Sequence, residues 1–125
     1  MPVVAGVDSS TQSCKVELRD ADDGALLGSG AAPHPPAFAP RSEQDPAAWW
    51  QALRAAFAAA LADAGVDAAA VVSVAVAAQS HGLVAMDDAD RVIRPAKLWN
   101  DTTSAPQPSF ASVRITARLP FAFTA

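Results

Sequence analysis

The sequence has a single cysteine, Cys14, so it cannot form a disulfide within the chain. This scarcity fits a reducing compartment, where structural disulfides are rare. Basic residues are also few, because nine Lys and Arg stand against 13 Asp and Glu, which gives a formal net charge of −4. Nucleic-acid backbones are bound by clustered Lys and Arg, so this balance argues against a nucleic-acid partner.

Long apolar segments are missing as well. The longest nearly apolar run covers residues 68–78, which is too short to cross a bilayer. No basic amphipathic stretch indicates binding to a membrane surface. The opening residues, MPVVAGVDSST, have no basic head and reach Asp8 too early for a secretory signal. The sequence therefore predicts a cytoplasmic protein without a membrane partner.

The chain nevertheless has enough apolar residues for one domain with a core. Hydrophobic residues make up 51% of its 125 residues. Much of this fraction is alanine, so we expect a thin core. No internal repeat is evident.

The first third of the chain predicts three antiparallel strands. Residues 3–7 form a short apolar run, and residues 14–18 alternate between apolar and polar, which is typical of a half-buried strand. A Ser/Thr-rich turn joins these runs, and the turn DADDG leads into a third strand over residues 25–32. This order predicts a β-meander.

The middle of the chain predicts a loop, a helix and a buried strand. Five prolines between residues 32 and 46 exclude regular structure, and Asp45 and Pro46 are typical of a helix start. Gly65 is expected to end the helix. The predicted core face of that helix has helical spacing and comprises Trp49, Leu53, Phe57, Ala60, Leu61 and Ala64.

Residues 71–76 form a continuous β-branched and apolar run, which predicts a strand covered on both faces. The acidic turn DDADR, between two short apolar runs, predicts a further hairpin. The order of elements indicates an α/β fold with a mixed sheet.

The stretch GVDSSTQSCK, residues 6–15, is the first candidate for chemistry. Asp8 follows an apolar run, and the turn after it is rich in hydroxyl groups. Backbone N–H groups of such a turn can surround an anion, Lys15 adds positive charge, and Asp8 can hold Mg²⁺ through water. An ordinary Asx or Ser turn uses the same residue types and is the simpler interpretation of these residues alone.

Two further polar stretches follow apolar runs. The tetrad Gln79-Ser80-His81-Gly82 ends the predicted buried strand, where ligands collect in α/β sheets, and its neutral groups suit sugar hydroxyls. A histidine that caps the strand end is the alternative. In KLWNDTTS, residues 97–104, Trp99 offers an apolar face while Asn100 and Asp101 can accept hydrogen bonds; an Asx turn is the alternative.

Together these stretches resemble the FGGY carbohydrate kinases. The opening GVDSSTQSCKVELRD resembles the first hairpin of that family, and SEQDPAAWWQAL and AVAAQSHGLVAMDDADRVIRPAKLWND resemble its xylulokinase branch in particular. Any one motif is weak, but all of them occur in order and at compatible spacing. The resemblance covers residues 3 to about 107.

The resemblance implies most of the first of two ribonuclease-H-like domains, the actin/hexokinase-type fold, in an enzyme that transfers the γ-phosphate of ATP to D-xylulose. It implies a catalytic role for Asp8 near the phosphate and Mg²⁺, and contacts from Thr11 and Lys15 to the ATP phosphates. It also implies sugar contacts from Ser80, His81 and Asp101. No metal-ligand set is assigned, and a homodimer is the expected state of the full-length parent.

Three features depart from the family. Ser10 stands where the family usually has glycine, and Ser80 stands where methionine is frequent. The family's downstream catalytic aspartate and most of its adenine site have no counterpart in 125 residues. We therefore interpret residues 1–107 as a partial kinase domain and residues 108–125 as a divergent tail produced by truncation or a frameshift.

Four interpretations remain open for the isolated chain. A fragment without turnover fits the missing half of the cleft, because phosphoryl transfer requires both reactants to be positioned. An FGGY kinase for another ketose or polyol, or a non-catalytic sugar-binding fragment, is the alternative. A half-domain that builds its cleft by dimerising is the least favoured interpretation.

Overall fold

The computed structural model describes residues 1–103. These residues form a four-stranded sheet, one long helix that packs on it, and a second sheet of two short strands. In chain order the elements are β1 Val3–Ser9, β2 Ser13–Asp20, β3 Leu26–Pro33, β4 Glu43–Gln44, α1 Pro46–Ala64, β5 Val71–Ala78 and β6 Ala96–Lys97.

The main sheet has the order β3-β2-β1-β5. The first three strands pair antiparallel, which confirms the predicted β-meander, and β5 pairs parallel to β1, which makes the sheet mixed. The strand β1 continues beyond the predicted Val7 to Ser9. Asp8 therefore lies within the strand, where its register partner on β2 is Lys15.

The helix α1 begins and ends where its sequence predicts. The Asp45 side chain accepts a hydrogen bond from the Ala47 backbone N–H at 2.9 Å, and Pro46 occupies the first turn. Gly65 adopts the left-handed conformation, with φ 65°, and its N–H reaches back to the last turn.

Small residues let α1 approach the sheet closely. The fully buried face of the helix consists of Ala52, Ala56 and Ala60, while the predicted Trp49, Leu53, Phe57, Leu61 and Ala64 flank it and are half-buried. A Cβ atom added at Gly30 of β3 would collide with the backbone of Ala56 and Ala60. The close approach explains the alanine-rich composition, because larger side chains on this face would separate the helix from the sheet.

The prediction that residues 71–76 are covered on both faces is wrong. Within residues 1–103, β5 is an edge strand whose single neighbour is β1. Its Val72, Val74 and Val76 are 65%, 52% and 63% exposed. The helix α1 packs over β2 and β3 and leaves β5 uncovered. The apolar run therefore indicates a strand correctly but does not indicate its burial.

The second sheet pairs β4 with β6 and lies beside the start of α1. The predicted hairpin after β5 is present as a tight turn, in which the Asp87 N–H donates to the Arg91 carbonyl, and an isolated bridge joins Met86 to Val92. None of the helices in the described part of the chain is long and apolar enough to cross a membrane. The predicted tail, residues 108–125, lies outside the described residues.

Candidate active site

Asp8 and Lys15 are cross-strand neighbours on the face of the sheet opposite α1. Alternate residues of β1 point to α1 and are buried, whereas Gly6 and Asp8 point the other way and are exposed. Asp8, Lys15 and Glu17 line a shallow cavity of about 480 Å³ whose other wall is β5, residues 75–77. The structure thus brings together a carboxylate and an ammonium group beside an open backbone, with Gly6 leaving room for a ligand.

The last residue of β1 and the turn that follows it, residues 9–12, lead away from this cavity into a larger one. That second cavity has a volume of about 620 Å³, and Thr11 lines it together with Trp99, Asn100 and Phe38. The indole Nε1 of Trp99 donates to the Thr11 hydroxyl at 3.0 Å. Thr11 therefore faces an aromatic, neutral surface, while Lys15 lines the cavity beside Asp8.

The tetrad after β5 meets the turn through Gln79. The Gln79 N–H donates to the Ser9 carbonyl at 3.1 Å, and the Thr11 hydroxyl lies 3.5 Å from the Gln79 side-chain oxygen. Gln79 and Gly82 also line a small cavity of about 200 Å³ with Ser9. The end of β5 and the hydroxyl-rich turn therefore lie side by side.

Ser80 and His81 are exposed, and neither lines the cavities around Asp8, Thr11 or Gln79. His81 has a φ of 58°, in the left-handed region that non-glycine residues seldom adopt. Such strain persists only where the surroundings impose it, and it is concentrated at functional sites. The structure brings the turn and the tetrad together but presents the imidazole of His81 to open solvent.

Asp101 forms a buried polar clasp. Its side chain is 2% exposed and accepts hydrogen bonds from the Ser42 N–H at 2.9 Å, the Thr103 hydroxyl at 2.6 Å and the Lys97 ammonium at 3.0 Å. These donors, led by the Thr103 hydroxyl, hold the pKa of the Asp101 carboxyl well below its usual range. The clasp fixes the segment that carries Trp99 and Asn100 against the segment before α1.

His34 is a site residue that the sequence analysis missed. It is 6% exposed, its ring Nε2 lies 3.2 Å from the Ser9 hydroxyl, and its backbone N–H donates to the Gln12 carbonyl. Burial lowers the pKa of His34, which favours the neutral ring. In the sequence His34 stands between two prolines, and no local pattern there indicates its contact with Ser9.

No group of three or more His, Cys, Asp or Glu residues that could hold a metal ion occurs within residues 1–103. A single exposed carboxylate such as Asp8 is compatible with a Mg²⁺ ion that keeps most of its waters and is held mainly by phosphate oxygens. The donor set therefore fits a metal that arrives with a nucleotide.

Comparison with known proteins identifies the class. The model of the FGGY family of carbohydrate kinases, N-terminal domain, matches residues 3–109. A xylulose kinase from Arthrobacter sp. (strain NRRL B3728) is 51% identical over 105 residues, which cover 84% of this chain and all of that sequence. A xylulose kinase from Streptomyces coelicolor is 45% identical over 106 residues, which cover 85% of this chain and 21% of that protein.

Solved structures agree with this class. The crystal structure of xylulose kinase from Bifidobacterium adolescentis matches with a TM-score of 0.69 and 47% identity, over 85% of this chain and 19% of that one. Gluconate kinase from Lactobacillus acidophilus, at 19% identity and a TM-score of 0.74, shares the fold alone.

The fold is that of the N-terminal domain of actin/hexokinase-like sugar kinases. The chain belongs to the FGGY family of carbohydrate kinases. It spans about a fifth of the length of the Streptomyces relative and of the crystallised kinases.

Proposed function

We propose that this chain forms part of the catalytic cleft of an ATP-dependent xylulokinase. The observation that carries the proposal is the register pairing of Asp8 with Lys15 on the open face of the sheet, with a turn between their strands that lines a neutral aromatic cavity. A charged site beside a neutral, hydroxyl-binding one suits a reaction that joins a phosphate donor to a sugar acceptor.

On the phosphate side, Lys15 and the backbone of the turn face the nucleotide. Lys15 supplies positive charge, and Asp8 supplies the carboxylate that would hold Mg²⁺ through water. A phosphate contact from the Thr11 hydroxyl stays a prediction, because that hydroxyl lines the neutral cavity with Trp99. When bound, Mg²⁺ would neutralise the negative charge that develops on the phosphate oxygens. This chain's own contribution is to hold the phosphates in position, because positioning accounts for much of phosphoryl-transfer catalysis.

On the sugar side, Trp99 offers its exposed ring to the carbon face of the sugar. Contacts from Ser80 and His81 to the ketose stay predictions, because both residues are exposed and lie outside the cavity that Trp99 lines. Trp99 is 61% exposed and anchored through its indole N–H to Thr11. We propose a sugar-side role for Asp101 as well. Its carboxylate already accepts several internal hydrogen bonds, so the geometry favours an indirect role in which it fixes Trp99 and Asn100. A direct contact from Asp101 to the sugar stays a prediction.

The proposal includes ATP, Mg²⁺ and a ketose as ligands. The net charge of −4 supports the absence of a nucleic-acid partner. A cytoplasmic location, the absence of a membrane partner, a homodimeric parent, and the division of the chain at residue 107 stay predictions.

Two measurements test the proposal on the purified chain. Release of ADP in the presence of ATP, Mg²⁺ and D-xylulose is expected at background level, because the chain contains one wall of the cleft; measurable turnover would contradict this. Saturation-transfer NMR with D-xylulose, D-ribulose and glycerol then tests the sugar side, and we expect the strongest signal from D-xylulose.

Tryptophan variants give this sugar experiment a matched control. Trp99→Ala is expected to abolish the D-xylulose signal, whereas Trp50→Ala removes a ring that is equally exposed, at 62%, on α1 and is expected to leave the signal intact. His81→Ala is expected to weaken it. Equal losses for the two tryptophan variants, or a stronger signal from glycerol, would contradict the assignment.

A further inference from the structure

A buried glutamine holds the turn at residues 9–12 in place. Gln44 is 3% exposed and lies in β4, two residues before α1 begins. Its Nε2 donates to the backbone carbonyl of Thr11 at 2.9 Å and to that of Pro35 at 2.6 Å. Its Oε1 accepts from the indole Nε1 of Trp49 at 2.7 Å. Both N–H donors and the acceptor of the amide are therefore used.

These three hydrogen bonds join three separate parts of the chain. Thr11 belongs to the turn, Pro35 to the proline-rich segment, and Trp49 to the first turns of α1. The Gln44 side chain is buried, so an amide N–H that loses its carbonyl acceptor there does not regain a water partner, which makes this set of hydrogen bonds costly to break.

Thr11 is held at two points. Gln44 binds its backbone carbonyl, and Trp99 donates to its side-chain hydroxyl. The direction of the hydroxyl follows from the backbone, so a change at the carbonyl is transmitted to the contact between Thr11 and Trp99. The Trp99 indole, 88 residues away in sequence, is therefore a reporter of the turn.

We propose that Gln44 is a positioning residue that sets the backbone of this turn and thereby the direction of the Thr11 hydroxyl. The importance of this positioning for catalysis rests on the proposed function, in which the turn faces phosphate. The positioning itself is a property of the chain without nucleotide.

The substitution Gln44→Glu distinguishes the two hydrogen bonds that Gln44 donates from the one that it accepts. Glutamate keeps the length and an oxygen acceptor for Trp49 but loses both N–H donors to Thr11 and Pro35. We expect hydrogen exchange of the Trp99 indole N–H, measured by NMR, to become at least about fivefold faster. The Trp49 indole N–H is expected to stay within about twofold of wild type, because its acceptor remains.

The control is Gln51→Glu, which makes the same charge change at an exposed position of α1. It is expected to alter neither indole. Single replacements of Trp49, Trp50 and Trp99 by phenylalanine assign the three indole signals. An unchanged Trp99 indole in Gln44→Glu, equal acceleration of both indoles, or the same effect from Gln51→Glu would overturn the proposal.

A wild-type measurement covers the case in which Gln44→Glu does not fold. The side-chain amide protons of Gln44 are expected to exchange at least about tenfold more slowly than those of exposed Gln51, and equal rates would overturn the proposal. Neither experiment contains nucleotide or sugar. Failure of the kinase proposal would therefore appear in the ligand experiments, and failure of the positioning proposal in these.

Discussion

Strands β2 and β5 of the main sheet have similar apolar side chains but very different surroundings. In β2, Val16 and Leu18 are 1% and 0% exposed, whereas in β5, Val74 and Val76 are 52% and 63% exposed. The difference lies in the cover, because α1 packs over β2 and β3 but leaves β5 free. Apolar composition thus identifies a strand of the fold, and burial depends on the element that packs against it.

The largest difference is expected when one glycine is enlarged on each face of the main sheet, the covered one and the open one. Gly30→Val places a side chain where the backbone of Ala56 and Ala60 already lies, and we expect it to lower the free energy of unfolding by about 3 kcal/mol. Gly6→Val adds the same side chain on the opposite face, where nothing lies within 4 Å.

Urea unfolding of both variants checks this prediction. We expect Gly6→Val to change the free energy of unfolding by less than about 0.5 kcal/mol, because valine suits an open strand position. Similar losses for both variants would show that the helix does not approach the sheet as closely as described.

A second test replaces one valine by alanine in the covered strand β2 and one in the exposed strand β5. Val16→Ala creates space in the buried core and is expected to cost about 2 kcal/mol. Val74→Ala acts on a side chain that is already half in water and is expected to cost less than about 0.5 kcal/mol. Thermal and urea unfolding measure both, and a cost at Val74 equal to that at Val16 would mean that β5 is covered in solution.

A third test concerns Asp101 and the hydrogen bonds that hold its segment in place. Asp101→Asn weakens the clasp to Ser42, Lys97 and Thr103, and we expect a lower urea midpoint at pH 7. The pKa of Asp101 is lowered in the folded state. Its contribution to stability is therefore present above the ordinary pKa and declines as the pH falls below about 4.

The measurement is the urea midpoint at pH 7, 5 and 3. Wild type is expected to lose more stability than Asp101→Asn on acidification, so the two curves converge at low pH. Asp22→Asn, in the exposed turn after β2, serves as the control and is expected to follow wild type. Parallel curves for wild type and Asp101→Asn would contradict the clasp.

Local sequence was sufficient to predict much of the fold. The caps at Asp45 and Gly65, the alternation in β2 and the order of strands depend on neighbours in sequence, and the structure has them where they were expected. The exposure of β5 was not predictable in this way, because it depends on which distant segment covers the strand.

The candidate site was predictable in its residue types but less so in its contacts. The pairing of Asp8 with Lys15 follows from the hairpin register. The roles of His34 and Gln44 depend on contacts with a turn more than twenty residues earlier in the sequence, and the clasp of Asp101 on Ser42 spans 59 residues. Such long-range bonds leave no periodic pattern in the sequence.

The most direct test of the account is a map of nucleotide binding on the isolated chain. Backbone amide signals are followed by NMR during titration with ATP and Mg²⁺, with Asp8→Asn as the variant and Asp22→Asn as its control. We expect shifts at residues 6–11 and at Lys15, weakened in Asp8→Asn, and none along β3. Shifts confined to α1 and β3, or no difference between the two variants, would contradict the assignment of the open face to phosphate.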